Sequence, residues 1–144
     1  MKLVVVLFGL VTVVAKEGYN FQEDFQEEVD LGINEAFGYH SKFGIPLAKQ
    51  VRVYESAKNS TTPHLLEEFP YRVGLIATLP DGESICLGAL VNQNSVVTAA
   101  HCSYDGRDFA SSFTVVLGSQ TIFSGGTRLT SNTVILHTNW DPAR

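Results

Sequence analysis

Cysteine is scarce. Cys86 and Cys102 are the only two in 144 residues, too few for a small domain stapled by several disulfides. Set beside His64, His101 and His137, they form no C-x-x-C or H-x-x-x-H spacing, so no metal site is expected. Positive charge is also thin. Ten Lys and Arg stand against 15 Asp and Glu, for a formal net charge of −5. No basic run or basic–aromatic stripe occurs, so nucleic acid is not an expected partner. Neither a G-x-G-x-x-G nor a P-loop pattern is present, so the chain gives no sign of a nucleotide cofactor, and no cofactor of any kind is expected. Beyond residue 15 there is no long apolar run, so no membrane partner is expected. There is no internal repeat, and the mild acidity selects no partner.

The beginning of the chain is apolar. Met1-Lys2 is a short positive start, residues 3–14 are almost wholly apolar, and Ala15 with Val13 two places earlier forms a cleavage pattern. Residues 1–15 read as a secretory signal peptide; the run falls short of the ~20 residues that a membrane span needs. A secreted product meets an oxidising compartment, so a Cys86–Cys102 disulfide is the default, contributing about 3 kcal/mol if unstrained.

Residues 16–58 differ in character from the remainder of the chain. Phe21, Phe25, Val29, Ile33 and Phe37 recur every four residues with Glu23, Asp24, Glu27, Glu28 and Asp30 between them, an amphipathic helical pattern with an acidic face. Gly38 and Tyr39-His40-Ser41 break it. Pro46 opens a second short helix with Leu47, Val51 and Tyr54 on one side. Two readings stand side by side: a pro-segment that covers a cleft, or a weakly ordered leader, since short isolated helices are marginal in water. His40 and His64 read as exposed loop residues. Residues 59–67 are a polar linker, and Asn59-Ser60-Thr61 fits the N-glycosylation pattern.

From residue 68 to 144 the chain reads as β. Val73, Leu75 and Ile76 belong to one strand, Leu79-Pro80-Asp81-Gly82-Glu83 is a turn, and residues 85–91 form the next strand. Phe113, Val115 and Leu117 alternate with Thr114 and Val116. Residues 120–123 are a short strand candidate, and Val134-Ile135-Leu136 is another. Ser103-Tyr104-Asp105-Gly106-Arg107-Asp108 reads as a polar surface loop, and Trp140-Asp141-Pro142 as an exposed turn. Short strands at this spacing indicate an all-β barrel or sandwich.

The apolar run Ser95-Val96-Val97-Thr98 ends in Ala99-Ala100-His101-Cys102. Small residues let the backbone turn closely before the histidine, and a tied cysteine beside it would hold that turn still. Thr98-Ala99-Ala100-His101-Cys102 resembles the histidine motif of the trypsin/chymotrypsin-like serine peptidases (peptidase family S1). Glu68-Phe69-Pro70-Tyr71-Arg72-Val73-Gly74-Leu75-Ile76 resembles that family's first mature strand, and Ser84-Ile85-Cys86-Leu87-Gly88-Ala89-Leu90-Val91 its cysteine-bearing strand. Residues 113–118 and 134–140 resemble later strands, and the whole pattern is most similar to insect digestive chymotrypsins.

The resemblance implies an all-β fold, the partial first antiparallel barrel of a two-barrel chymotrypsin-like domain over residues 68–144. It also implies a secreted serine endopeptidase acting on protein or peptide substrates once a second barrel completes it, with the gut lumen as one destination; it fixes no oligomeric state. In the family a serine attacks the scissile carbonyl, the histidine takes its proton and returns it to the leaving amine, and a buried aspartate orients the histidine. Only His101 carries over.

The family's aspartate motif would follow Trp140-Asp141-Pro142, and Asp141 itself lies too early. Ser124-Gly125-Gly126 lacks the Gly-Asp that precedes the family's nucleophile. The sequence is therefore expected to be an N-terminal fragment, inactive by itself. Two departures support a rival, a catalytically inactive secreted homologue used as a protein-binding module. Leu87 stands where glycine is usual, close to substrate. Polar Asn59-Ser60-Thr61-Thr62 follows Lys58 where the family has an apolar N-terminus that inserts on activation; Lys58 and Arg52 both remain as processing sites. A third reading is a pro-segment carrier that inhibits active relatives.

Overall fold

The computed structural model describes residues 2–4, 36–57 and 70–143. The signal cleavage position, the acidic helical pattern over 21–33, the linker with Asn59, Lys58 and His64, and the first residues of the β region lie outside the described residues.

β2 (Arg72–Leu79) lies inside the sheet, and its sequence explains why. Leu75, Ile76 and Ala77 are apolar without interruption, so both faces of the strand ask to be covered. It pairs antiparallel with β3 (Gly82–Asn92) on one side and with β5 (Ser112–Leu117) on the other. Pro80 and Asp81 make the two-residue turn into β3, and Gly82 follows at φ +138°, a backbone state that a side chain would resist. Beyond β3 lies β4 (Ser95–Thr98), and beyond β5 lies β6 (Thr127–Ser131), both antiparallel. β1 (Lys2–Val4) pairs in parallel with β4 and with β7 (Val134–Ile135). The full order is β6-β5-β2-β3-β4-β1-β7, an open, mostly antiparallel sheet. The all-β reading holds, as a barrel that has not closed.

Alternation selects the core. Val73, Leu75 and Ala77 point to one face and meet Cys86, Val96, Ala100, Cys102, Phe113 and Val115, all buried. Full burial of a side chain such as Phe113 or Leu75 stabilises the fold by about 1.5–3 kcal/mol. On the opposite face Ile76 and Ile85 pair across the strands and are buried as well.

A short strap packs on the sheet. A π-turn (His40–Gly44) leads directly into α1 (Ile45–Ala57), with Pro46 in the first turn where its missing N–H costs nothing. The helix expected at Pro46 exists, but its packed face differs. Leu47 and Tyr54 are exposed, whereas Ala48 is buried and Val51 and Glu55 are half-buried. The reason is a close approach: a Cβ on Gly44 would overlap Ser84 Oγ, so the turn seats itself on β3 through Gly44, and Ala48, one turn on, sits on the same side.

Two loops also depart from expectation. Residues 120–123 are not a strand, because the Ile122 and Phe123 N–H groups donate to the Glu55 carboxylate (2.6 and 2.9 Å) instead of to a neighbouring strand. Trp140-Asp141-Pro142 is not an exposed turn: Trp140 packs against the core and its Nε1 donates to the Tyr104 carbonyl at 2.9 Å, while Pro142 is buried.

Candidate functional site

The histidine turn is fixed from three directions. Val96 and Ala100 are fully buried, so the chain leaves β4 anchored in the core. Ala99 is extended, and Ala100–Cys102 form a 3₁₀ turn closed by Cys102 N–H to Ala99 O (3.1 Å) and Ser103 N–H to Ala100 O (2.9 Å). Alanine suits position 100 because its methyl is wholly enclosed by the core cluster. The Cys86–Cys102 disulfide forms, with Cα atoms 6.2 Å apart, and ties the turn to β3. Thr98 Oγ1 adds a bond to the Leu87 carbonyl at 2.7 Å.

His101 emerges half-buried from this frame. Its pKa is held below the usual histidine value of 6.5, first by burial and then by the neighbouring His40, with Asp105 pulling the other way. At neutral pH the ring is therefore the free base, the form able to accept a proton. Tyr39 lies against it with ring centroids 4.4 Å apart and planes inclined by 38°. Among the described residues, no hydrogen bond from the His101 ring to a carboxylate occurs.

His40 is the largest surprise. It is not an exposed loop residue but is fully buried beside the site. Its Nδ1 lies 2.8 Å from Ser84 Oγ, and its Nε2 is buried with no hydrogen-bond partner among the described residues. Burial lowers its pKa, against the pull of Asp105 and Asp108. Asp105 is equally unlike the surface residue expected. It is fully buried, and its carboxylate accepts from the N–H groups of His40, Arg107 and Asp108, each at 2.9 Å. Burial alone would raise its pKa, but those donors and the nearby His40 outweigh it and hold the group below its ordinary value.

His101, Cys86 and Cys102 lie together in the structure, whereas Asn59 lies outside the described residues. Tyr39, His40, Ser84 and Asp105 are additions that sequence reasoning missed. Only Asp105-Gly106 carried a local signal, because Asp before Gly favours a turn in which the carboxylate takes backbone donors. Ligand atoms of Cys86, His101 and Cys102 lie within 4.8 Å of one another, but both sulfurs are committed to the disulfide and neither is a thiolate that could hold a metal. Leu87 is exposed and lines a shallow cleft with Tyr71, Ala89 and Val97.

Comparison with known proteins agrees with this architecture. The sequence profile of the Trypsin family matches residues 58–144. A protein named Collagenase from Hypoderma lineatum is 37% identical over 75 residues, covering 51% of this chain and 27% of that protein. Achelase-1 from Lonomia achelous is 36% identical over 67 residues, covering 46% of this chain and 30% of its own length. The match therefore spans under a third of either relative. No solved structure matches significantly. An open antiparallel sheet, a disulfide-braced histidine turn and a profile match over more than half the sequence lead to one conclusion: the chain belongs to the trypsin family of chymotrypsin-like serine peptidases, of which it carries part.

Proposed function

We propose that this chain is the N-terminal part of a secreted serine endopeptidase, with His101 as its general base. The observation that carries the proposal is the state of that imidazole. It is neutral at physiological pH, fixed by a disulfide and a short turn, and set at the rim of a packed sheet. A positioned base of this kind contributes about 10²–10⁴-fold to rate. The proton it takes would come from a serine hydroxyl attacking a peptide carbonyl, and it would go on to the leaving amine. The serine and the orienting aspartate would be supplied by sequence following Arg144, in keeping with relatives more than three times the matched length. Residues 1–144 alone would then show no peptide-amide turnover.

The rival reading, a secreted inactive homologue that binds proteins, draws on Leu87 and on the polar residues after Lys58. The two separate in one experiment. Sequence the transcript beyond the codon for Arg144. An in-frame Asn-Asp followed later by Gly-Asp-Ser-Gly-Gly supports the peptidase; a stop codon at that point removes it in favour of the binding protein.

A further inference from the structure

We propose that Tyr104 and Phe109 form a substrate ledge beside His101, a subsite for a large apolar or aromatic side chain of the peptide being cleaved. The inference deepens the peptidase reading and rests on it.

The placement follows from the histidine turn. Ala100–Cys102 are a 3₁₀ turn, Ser103 keeps helical backbone angles, and the Tyr104 N–H donates to the Ala100 carbonyl at 3.0 Å. The turn therefore runs on to Tyr104. Residues three apart on such a turn stand on one side of it, with about 5–6 Å between their Cβ atoms, and Tyr104 is that residue relative to His101. Phe109 extends the surface: its ring stacks on Tyr104 with centroids 4.0 Å apart and planes inclined by 12°. Phe109 is nevertheless 61% exposed, so the stacking leaves most of its ring open.

The rings are not needed to close their loop. Tyr104 and Phe109 pair as a β-bridge, the Ala110 N–H donates to the Ser103 carbonyl at 2.9 Å, and the buried Asp105 carboxylate accepts from the Arg107 and Asp108 N–H groups. Trp140 Nε1 donates to the Tyr104 carbonyl as well. Backbone bonds and one buried carboxylate thus set the loop, and it presents the aromatic pair as a rigid platform. Aromatic rings with two side-chain torsions give large contact area at little cost in entropy.

An apolar platform continuous with the proposed base finds its occupant in the peptide that carries the reacting carbonyl. An extended peptide advances about 3.3–3.6 Å per residue. A ledge that starts about 5–6 Å from the histidine and reaches a further 4.0 Å meets a side chain about two to three residues from the scissile bond. An aromatic side chain suits it best, by offset or edge contact with the open ring of Phe109.

The test uses the product of the complete transcript in its active form. Its kcat/KM is measured on peptide amides that carry Phe or Ser at one position at a time, up to about three residues on either side of a constant scissile bond. Wild type should favour Phe at one of these positions. Phe109→Ser should cut that preference about tenfold at that position alone, the upper range of what an aromatic pair contributes. Phe109→Tyr, which keeps the ring, should retain the preference. Tyr104→Leu removes the stacking partner and should weaken the same preference, and it decides the matter if Phe109→Ser does not fold. A preference that changes by less than about twofold overturns the ledge and leaves the peptidase reading standing, because turnover is then present. A loss spread evenly over all positions makes the pair a structural prop and overturns the ledge too. A wild type that cleaves no peptide overturns both readings.

Discussion

Asp105→Asn is the substitution that probes the site most sharply, because the side chain keeps its size and loses only charge and one acceptor. In the native fold Oδ1 accepts from Arg107 and Asp108, and Oδ2 accepts from His40. Asparagine has one oxygen. Its amide nitrogen must face either the His40 N–H or the Arg107 and Asp108 pair, donor against donor, in a site closed to water. Losing at least one charge-assisted bond and stranding a buried donor should cost about 2–4 kcal/mol. In a domain of this size that corresponds to a fall of roughly 10–25 °C in melting temperature.

The pH dependence has a defined sign. The native pKa of Asp105 lies below its ordinary value of 3.8, so its contribution is complete above that value and is lost as pH falls through the native pKa. The gap between wild type and Asp105→Asn, measured by thermal unfolding, should therefore be full at neutral pH and narrow in strong acid. A gap under about 0.5 kcal/mol at neutral pH, the range of an ordinary surface change, would refute the reasoning.

Two further predictions concern the same region. Cys86→Ser together with Cys102→Ser should lower stability by about 3 kcal/mol, read by urea unfolding; an unchanged midpoint would mean that the sheet alone holds the histidine turn. His40 and His101 both have pKa values below 6.5, so the unfolded chain binds more protons than the native one as pH drops below that value. Stability should be full above pH 6.5 and decline below it, by at most about 1.4 kcal/mol per pH unit for each ring, and His40→Gln should flatten the decline.

The β elements were legible in the sequence where burial is set by neighbours close in the chain. Val73, Leu75 and Ile76, the Pro80-Asp81-Gly82 turn, and the alternation from Phe113 to Leu117 each announce their strand by period two and turn chemistry. The histidine turn was legible by resemblance, because Thr98-Ala99-Ala100-His101-Cys102 matches a family motif, with small alanines that let the chain turn closely. What escaped is long-range. His40 is polar and lies just past a glycine, so locally it reads as loop; only Ser84 and Asp105, 44 and 65 residues away, make it a core residue. Residues 120–123 look like a strand until Glu55 claims their donors. The packed face of α1 turned by one position because Gly44, silent in any hydrophobic pattern, sets how near the strap can come.

The proposed function rests on the imidazole at position 101 acting as the general base of a peptidase. Its most direct measurement is the kcat/KM of the product of the complete transcript on a peptide amide, before and after His101→Ala. The expected result is a loss of about 10⁴-fold or more with folding intact, as removal of a base from a serine nucleophile gives. Activity that survives the substitution within about tenfold would place the chemistry elsewhere.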